Sequence, residues 1–325
     1  MTLFRWICLS FLMLGFLMNS QLFAQRIPSK VENIRYLTTF GKESIGTWGD
    51  DDHLQTFFVI IPPTYQKPIY IRVFDPNVGG NLDEVNGNFN TKTKFSVYGG
   101  KGAHSAYSSR KSKLKQTQNS GNLLASKTFG DEPSYDKKWY TFGPFNPYEG
   151  ENIQELGGYV FKITAEGLTG DDGNLYYYYI SEDANFNTYV EGSRAFTYEY
   201  CVRGNKEKGS ILHFYPFIPE GITRVTQHNF DYDNDGRIFL YSVRKNRHAV
   251  RVSGEGNWVS SSHSILKEEQ NTSMDIQIVS RGVPVNNFVF YITDQHGKHL
   301  PLYSSPIGGI PKYRYNIQIF YHNKP

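Results

Sequence analysis

The sequence predicts an all-β protein of two β-sandwich domains behind a signal peptide, the first jelly-roll- or C2-like and the second immunoglobulin-like. Three observations carry this expectation. Tyr and Phe number 24 and 23 among 325 residues, and aromatic side chains favour strands. The 30 Gly and 15 Pro supply many turns. Short apolar runs recur between those turns, and no stretch sustains a helical period.

Residues 1–24 stand apart from both domains. Arg5 is the only charge before an apolar run from Trp6 to Met18, and Leu22-Phe23-Ala24 ends on a small residue. The pattern predicts a secretory signal peptide cut before Gln25. A retained anchor is the rival reading, but the run is short for a bilayer span. Cys8 would leave with that peptide, so Cys201 alone would remain, read as a buried small hydrophobe between Tyr200 and Val202. A single cysteine makes no internal disulfide. The formal charge of +3 is too near neutral to argue for nucleic acid.

The first domain is expected over 25–190. An edge strand is read at 34–39, then strands at 54–61, 69–74, 94–98, 122–129, 139–143, 159–165 and 175–180. Pro62, Pro63 and Pro68 mark the turn between the first strong pair. Residues 101–121 lose all periodicity and carry Arg110, Lys111, Lys113 and Lys115. They read as a solvated loop, with a basic patch for an anionic partner as the alternative. A boundary is placed between Ser181 and Gly192. The second domain, 191–325, is read with strands at 194–203, 211–215, 223–230, 237–243, 249–252, 274–280, 288–293 and 313–321.

Acidic loops suggest a metal. The strand at 69–74 opens into Asp75-Pro76-Asn77-Val78-Gly79-Gly80-Asn81-Leu82-Asp83-Glu84. If 54–61 and 69–74 form a hairpin, Asp50 and Asp52 share one sheet end with Asp75, Asp83 and Glu84. Asp171 and Asp172 would join if their loop emerges there. Such a cluster repels unless a cation offsets it, and calcium accepts about six to eight oxygens. Separate solvated turns are the competing reading. Asp231, Asp233 and Asp235, with Gly236, match the first half of a second calcium loop. The closing acid of an EF-hand would fall on Ser242, which excludes a hand, and a hairpin turn competes.

Tyr176 to Tyr179 should alternate between strand faces, two inward and two outward, where they could stack on a sugar or a protein partner. Trp48, Trp139 and Trp258 read as core anchors. No catalytic set emerges. Among nine His only His296 and His299 are close in sequence, and no zinc, nucleophile-elbow or phosphate-loop pattern accompanies them. Carboxylates are plentiful enough that a glycosidase pair stays open.

The Phe23-Ala24-Gln25 junction resembles export signals of the Bacteroidota. Ile71-Arg72-Val73-Phe74-Asp75-Pro76 through Gly79-Gly80, with Gly170-Asp171-Asp172-Gly173-Asn174, resembles calcium-associated β-sandwich modules of exported bacterial proteins. The tail from Tyr315 to Phe320 and on to Pro325 does not resemble a type IX sorting domain. In outline the chain is similar to periplasmic plug-type accessory subunits of the type IX secretion translocon. That resemblance implies a periplasmic, non-enzymatic protein whose partner is an outer-membrane or periplasmic protein, with no nucleic acid and no membrane span. A calcium-dependent carbohydrate-binding module, its partner a glycan, is the alternative.

Overall fold

Residues with large apolar groups on both sides of the chain end up in the middle of sheets. The computed structural model describes residues 26–106, 120–282, 287–309 and 311–314. The expected signal peptide, the basic stretch from Arg110 to Lys115 and positions 315–321 of the last expected strand lie outside the described residues.

The chain forms β1 (Arg26–Ile27), β2 (Leu37–Phe40), β3 (Leu54–Ile61), β4 (Ile69–Phe74), β5 (Lys92–Gly99), β6 (Asn122–Phe129) and β7 (Trp139–Phe145). It continues through β8 (Glu151–Ile153), β9 (Gly158–Thr169), β10 (Gly173–Ser181), β11 (Arg194–Thr197), β12 (Glu199–Arg203), β13 (Ile211–Ile218) and β14 (Arg224–Phe230). The remainder is β15 (Gly236–Tyr241), β16 (His248–Val250), β17 (Trp258–Ser264), β18 (Thr272–Ser273), β19 (Asp275–Ser280), β20 (Asn287–Asp294) and β21 (Leu302–Tyr303). Among the described residues helix is confined to short 3₁₀ turns, so the protein is all-β. Among the described residues no helix is long and apolar enough to cross a membrane.

Two large antiparallel sheets face each other. The nine-stranded sheet runs β17-β14-β20-β12-β2-β10-β4-β7, with β1 added beside β10. The twelve-stranded sheet runs β16-β15-β19-β13-β21-β11-β3-β9-β5-β6, with β8 on β9 and β18 on β13. Both sheets continue across the expected 181–192 boundary. Leu37 of β2 pairs with Val202 of β12, and Phe58 of β3 pairs with Phe196 of β11. The core is continuous there as well: Phe57 meets Tyr200 at 5.4 Å, Tyr200 stacks on Phe214 at 4.9 Å, and Phe214 stacks on Phe290 at 4.8 Å. Each such ring, fully buried, contributes about 1.5–3 kcal/mol of hydrophobic stabilisation.

The expected hairpin of 54–61 with 69–74 does not form. β3 pairs with β9 and β11, and β4 pairs with β10 and β7, so the two strands lie in opposite sheets. The cause is visible in β3. Phe57, Val59 and Ile61 enter the main core, whereas Phe58 and Ile60 join a second cluster with Val160, Phe196 and Tyr303. Such a strand needs neighbours on both edges and cover on both faces. Pro62 and Pro63 follow it and donate no backbone hydrogen bond that would continue a ladder.

One carboxyl sits in this core. Glu32 is fully buried in a 3₁₀ turn (Lys30–Glu32), where it accepts the Ser29 N–H at 2.6 Å and the Tyr200 hydroxyl. Burial pushes it up to about 8, although the hydrogen bonds and Arg26 pull the other way.

Candidate functional site

The acidic residues expected to gather at one end are each held in local hydrogen-bonded turns or ion pairs. Asp50 and Asp52 form consecutive turns, accepting the Asp52 N–H at 3.1 Å and the Leu54 N–H at 3.0 Å. They lie near the buried Cys201, whose thiol donates to the Gly49 carbonyl at 3.5 Å and is pushed up by burial and then by those carboxylates. Glu84 is paired with Arg203 and accepts from the Asn287 amide at 2.8 Å. Asp172 accepts the backbone N–H groups of Asn86, Asn90 and Thr91 at 2.8–3.0 Å, while Asp171 accepts the Asn86 amide at 2.7 Å. These last two staple the 84–91 segment to the start of β10.

The Asp231 to Gly236 turn is not a hairpin. It carries the chain from β14 to β15, which lie in opposite sheets. Asp231, Asp233 and Asn234 all have φ between 47° and 56°, a left-handed course that Asp and Asn tolerate. Asp231 accepts the Gly256 N–H, and the Asn234 N–H bonds the Ser253 carbonyl at 2.9 Å.

Asp75 and Asp83 do meet, and two residues that the sequence did not single out join them. The 75–83 loop is sewn to the 130–138 loop by three bonds. Asp75 N–H donates to Lys138 O at 2.8 Å, Val78 N–H donates to Gly130 O at 2.9 Å, and Lys137 N–H donates to Asp75 Oδ1 at 2.7 Å. This brings Asp136 beside Asp75. Burial pushes the Asp75 carboxyl up to about 6, against the Lys137 N–H bond and helped by Asp136. Asp83 accepts the Gly79 and Leu175 N–H groups at 2.8 and 2.7 Å, and burial raises it well above the usual range. Asn77 is buried at the centre of the loop. Among the described residues no three His, Cys, Asp or Glu side chains converge closely enough to hold a metal by themselves.

An aromatic row crosses the outer face of the nine-stranded sheet. The tyrosine run alternates as expected: Tyr176 and Tyr178 are buried, while Tyr177 and Tyr179 are half-buried and face outward. Tyr177 is paired across the ladder with Phe74, and Phe74 with Trp139. Their rings lie 4.8 Å and 5.4 Å apart, and Tyr36 extends the row at 6.1 Å from Tyr177. Arg26 sits 4.1 Å over Tyr177 and Arg72 4.9 Å over Trp139. Trp139 is therefore on the outer face and not a core anchor. Trp48 and Trp258 pack on a small cluster around Phe40 and Phe230 and are only partly buried.

Two concavities lie elsewhere on the surface. A groove of about 480 Å³ on the outer face of the twelve-stranded sheet is rimmed by Lys208, Arg237, Arg247 and Arg281. A polar hollow of about 560 Å³ lies between segments 64–67 and 182–191, where Tyr65 and Lys67 both bond Glu182 at 3.1 Å. No family model matches the chain, and no curated protein matches it significantly.

Proposed function

We propose that the protein is an exported, non-enzymatic binding protein that docks a protein partner of an outer-membrane assembly. The observation that carries this is the Tyr36–Tyr177–Phe74–Trp139 row on the outer face of the nine-stranded sheet. A solvent-facing sheet surface is ordinarily polar. Half-exposed aromatics flanked by arginines match the composition of protein contact centres. Stacking on a sugar is restricted as well: Tyr177 lies between Arg26 and Phe74, and Arg72 covers one face of Trp139. Export is supported by the leader-like residues 1–24, and the absence of recognisable catalytic motifs in the sequence supports a binding role.

A photo-crosslinking residue at position 179, beside the row, should trap a defined envelope protein in living cells, and one at the exposed Thr169 should not. Adding Trp139→Ser should abolish trapping from position 179. Equal trapping from both positions, or trapping indifferent to Trp139, refutes the reading. The polar hollow beside Tyr65 and Glu182 favours a second reading, glycan capture at that place. Glycan-array binding lost on Tyr189→Ala would support it. Tyr178 is no probe of either reading, because it is 2 % exposed inside the core.

A further inference from the structure

We propose that the 75–83 and 130–138 loops together hold one calcium ion, with Asp75, Asn77 and Asp136 as side-chain ligands and Asp131 at the rim. Three buried polar side chains of these loops have atoms with no hydrogen-bond partner in the protein. Asp75 is sealed from solvent and uses Oδ1 for the Lys137 N–H, but its Oδ2 has no hydrogen-bond partner. Asn77 is 1 % exposed, and neither its amide nitrogen nor its amide oxygen has a partner. Oδ1 of Asp136 is likewise buried and unpartnered. An uncompensated buried amide costs about 1–3 kcal/mol, and a buried carboxylate costs more. One pair of loops carrying three such groups is a poor solution for a protein folding without a ligand.

Asp136 lies near enough to Asp75 to act on its charge, and two glycines show how closely the loops approach. A Cβ on Gly79 would lie 2.8 Å from Asp131 Oδ1 and 3.5 Å from Asn77 Nδ2, and a Cβ on Gly80 would collide with Asp136 Oδ1. Asp131 and Asn77 thus lie on the same side of Gly79, and the paired glycines let the backbone pass close to them and to Asp136. Nothing in the hydrogen-bond network opposes turning the Asn77 amide so that its oxygen points at the carboxylates.

The donor set selects the ion. It offers oxygen alone, which suits hard cations. It combines carboxylates with an amide oxygen in two loops of irregular course, an arrangement calcium accepts and magnesium, with its strict octahedron, does not favour. Three converging carboxylates are not required for such a site. Asp83 takes no part as a ligand here, because both its oxygens accept backbone N–H groups that shape the 75–83 loop.

The site abuts Phe74 and Trp139, so an indole lies within sensitising range of a bound lanthanide. The test uses the full chain stripped with a chelator and titrated with CaCl2 by calorimetry and with terbium by sensitised luminescence. The expected result is one ion per chain and a melting temperature that rises with calcium and falls back with chelator. Asp136→Asn should weaken binding by at least roughly tenfold, since charge count sets affinity in oxygen sites. Asn77→Ala should remove the calcium-dependent rise in melting temperature without lowering the melting temperature of the chelated protein. Asp233→Asn, in the other acidic loop, should bind as the parent does. The proposal is overturned if the parent protein takes up no ion, or if Asp136→Asn and Asn77→Ala both leave uptake unchanged. Loss of binding in Asp233→Asn alone also overturns it, since the ion would then belong to the 231–236 turn.

Discussion

Replacing Glu32 by Gln should change how stability depends on pH, with little change in the fold. The carboxyl is fully buried and sits at about 8 against an ordinary 4.5, raised first by burial. A carboxyl raised in the folded state is a source of stability that is whole below its unfolded value and lost as pH climbs through its folded value. The window is therefore about pH 4.5 to about pH 8. At 1.36 kcal/mol per pKa unit, the parent loses about 5 kcal/mol across it through this one group. Glutamine cannot ionise, so the variant escapes that loss. Its –NH₂ replaces one of the two oxygens that accept the Ser29 N–H and the Tyr200 hydroxyl and can accept neither, so one of those bonds is lost, which costs about 1–3 kcal/mol at every pH. Glu32→Gln should thus be the weaker protein near about pH 4 and the stronger one near about pH 9. Urea unfolding of both proteins at those two values measures the crossover. A stability difference that is the same at both pH values within about 1 kcal/mol would refute the reasoning.

Two further substitutions test the packing. Phe57→Ala removes a wholly buried ring lying against Tyr178 and Tyr200, and should cost about 3–5 kcal/mol in the same urea assay. Gly80→Ala puts a Cβ at φ 79° against Asp136 Oδ1. Strain at such a position is of order 1–3 kcal/mol, read as a lower melting temperature, with terbium luminescence falling because Asp136 must move.

Parity along strands was the part of the fold most legible in the sequence. Ile69, Ile71 and Val73 face the core together, and the four tyrosines divide between faces as a period of two demands. Pairing was less legible, because adjacency in sequence favours hairpins and β3 and β4 instead cross between sheets. β17 went unread. It lies at the end of the nine-stranded sheet, paired only with β14, and its Ser260-Ser261-Ser262 run needs no apolar period there. Trp139 misled for a related reason. Its register opposite Phe74 turns it outward, while Tyr140 and Phe142 of the same edge strand turn toward the core. At the candidate metal site, charge marks Asp75 and Asp83 in the sequence. Asn77 carries no charge, and Asp136 comes from a distant loop that only the β4–β7 pairing brings near.

The sharing of both sheets across the middle of the chain has a mechanical consequence. A two-domain protein ordinarily bends at its linker, but here Leu37–Val202 and Phe58–Phe196 rungs bridge the two halves on both layers. Flexing them apart would break ladder hydrogen bonds and open the Phe57–Tyr200–Phe214 stack at once. The molecule should behave as a stiff plank without a hinge. A load applied to the aromatic row would then reach the basic groove at the far end of the other sheet by displacement of the whole body.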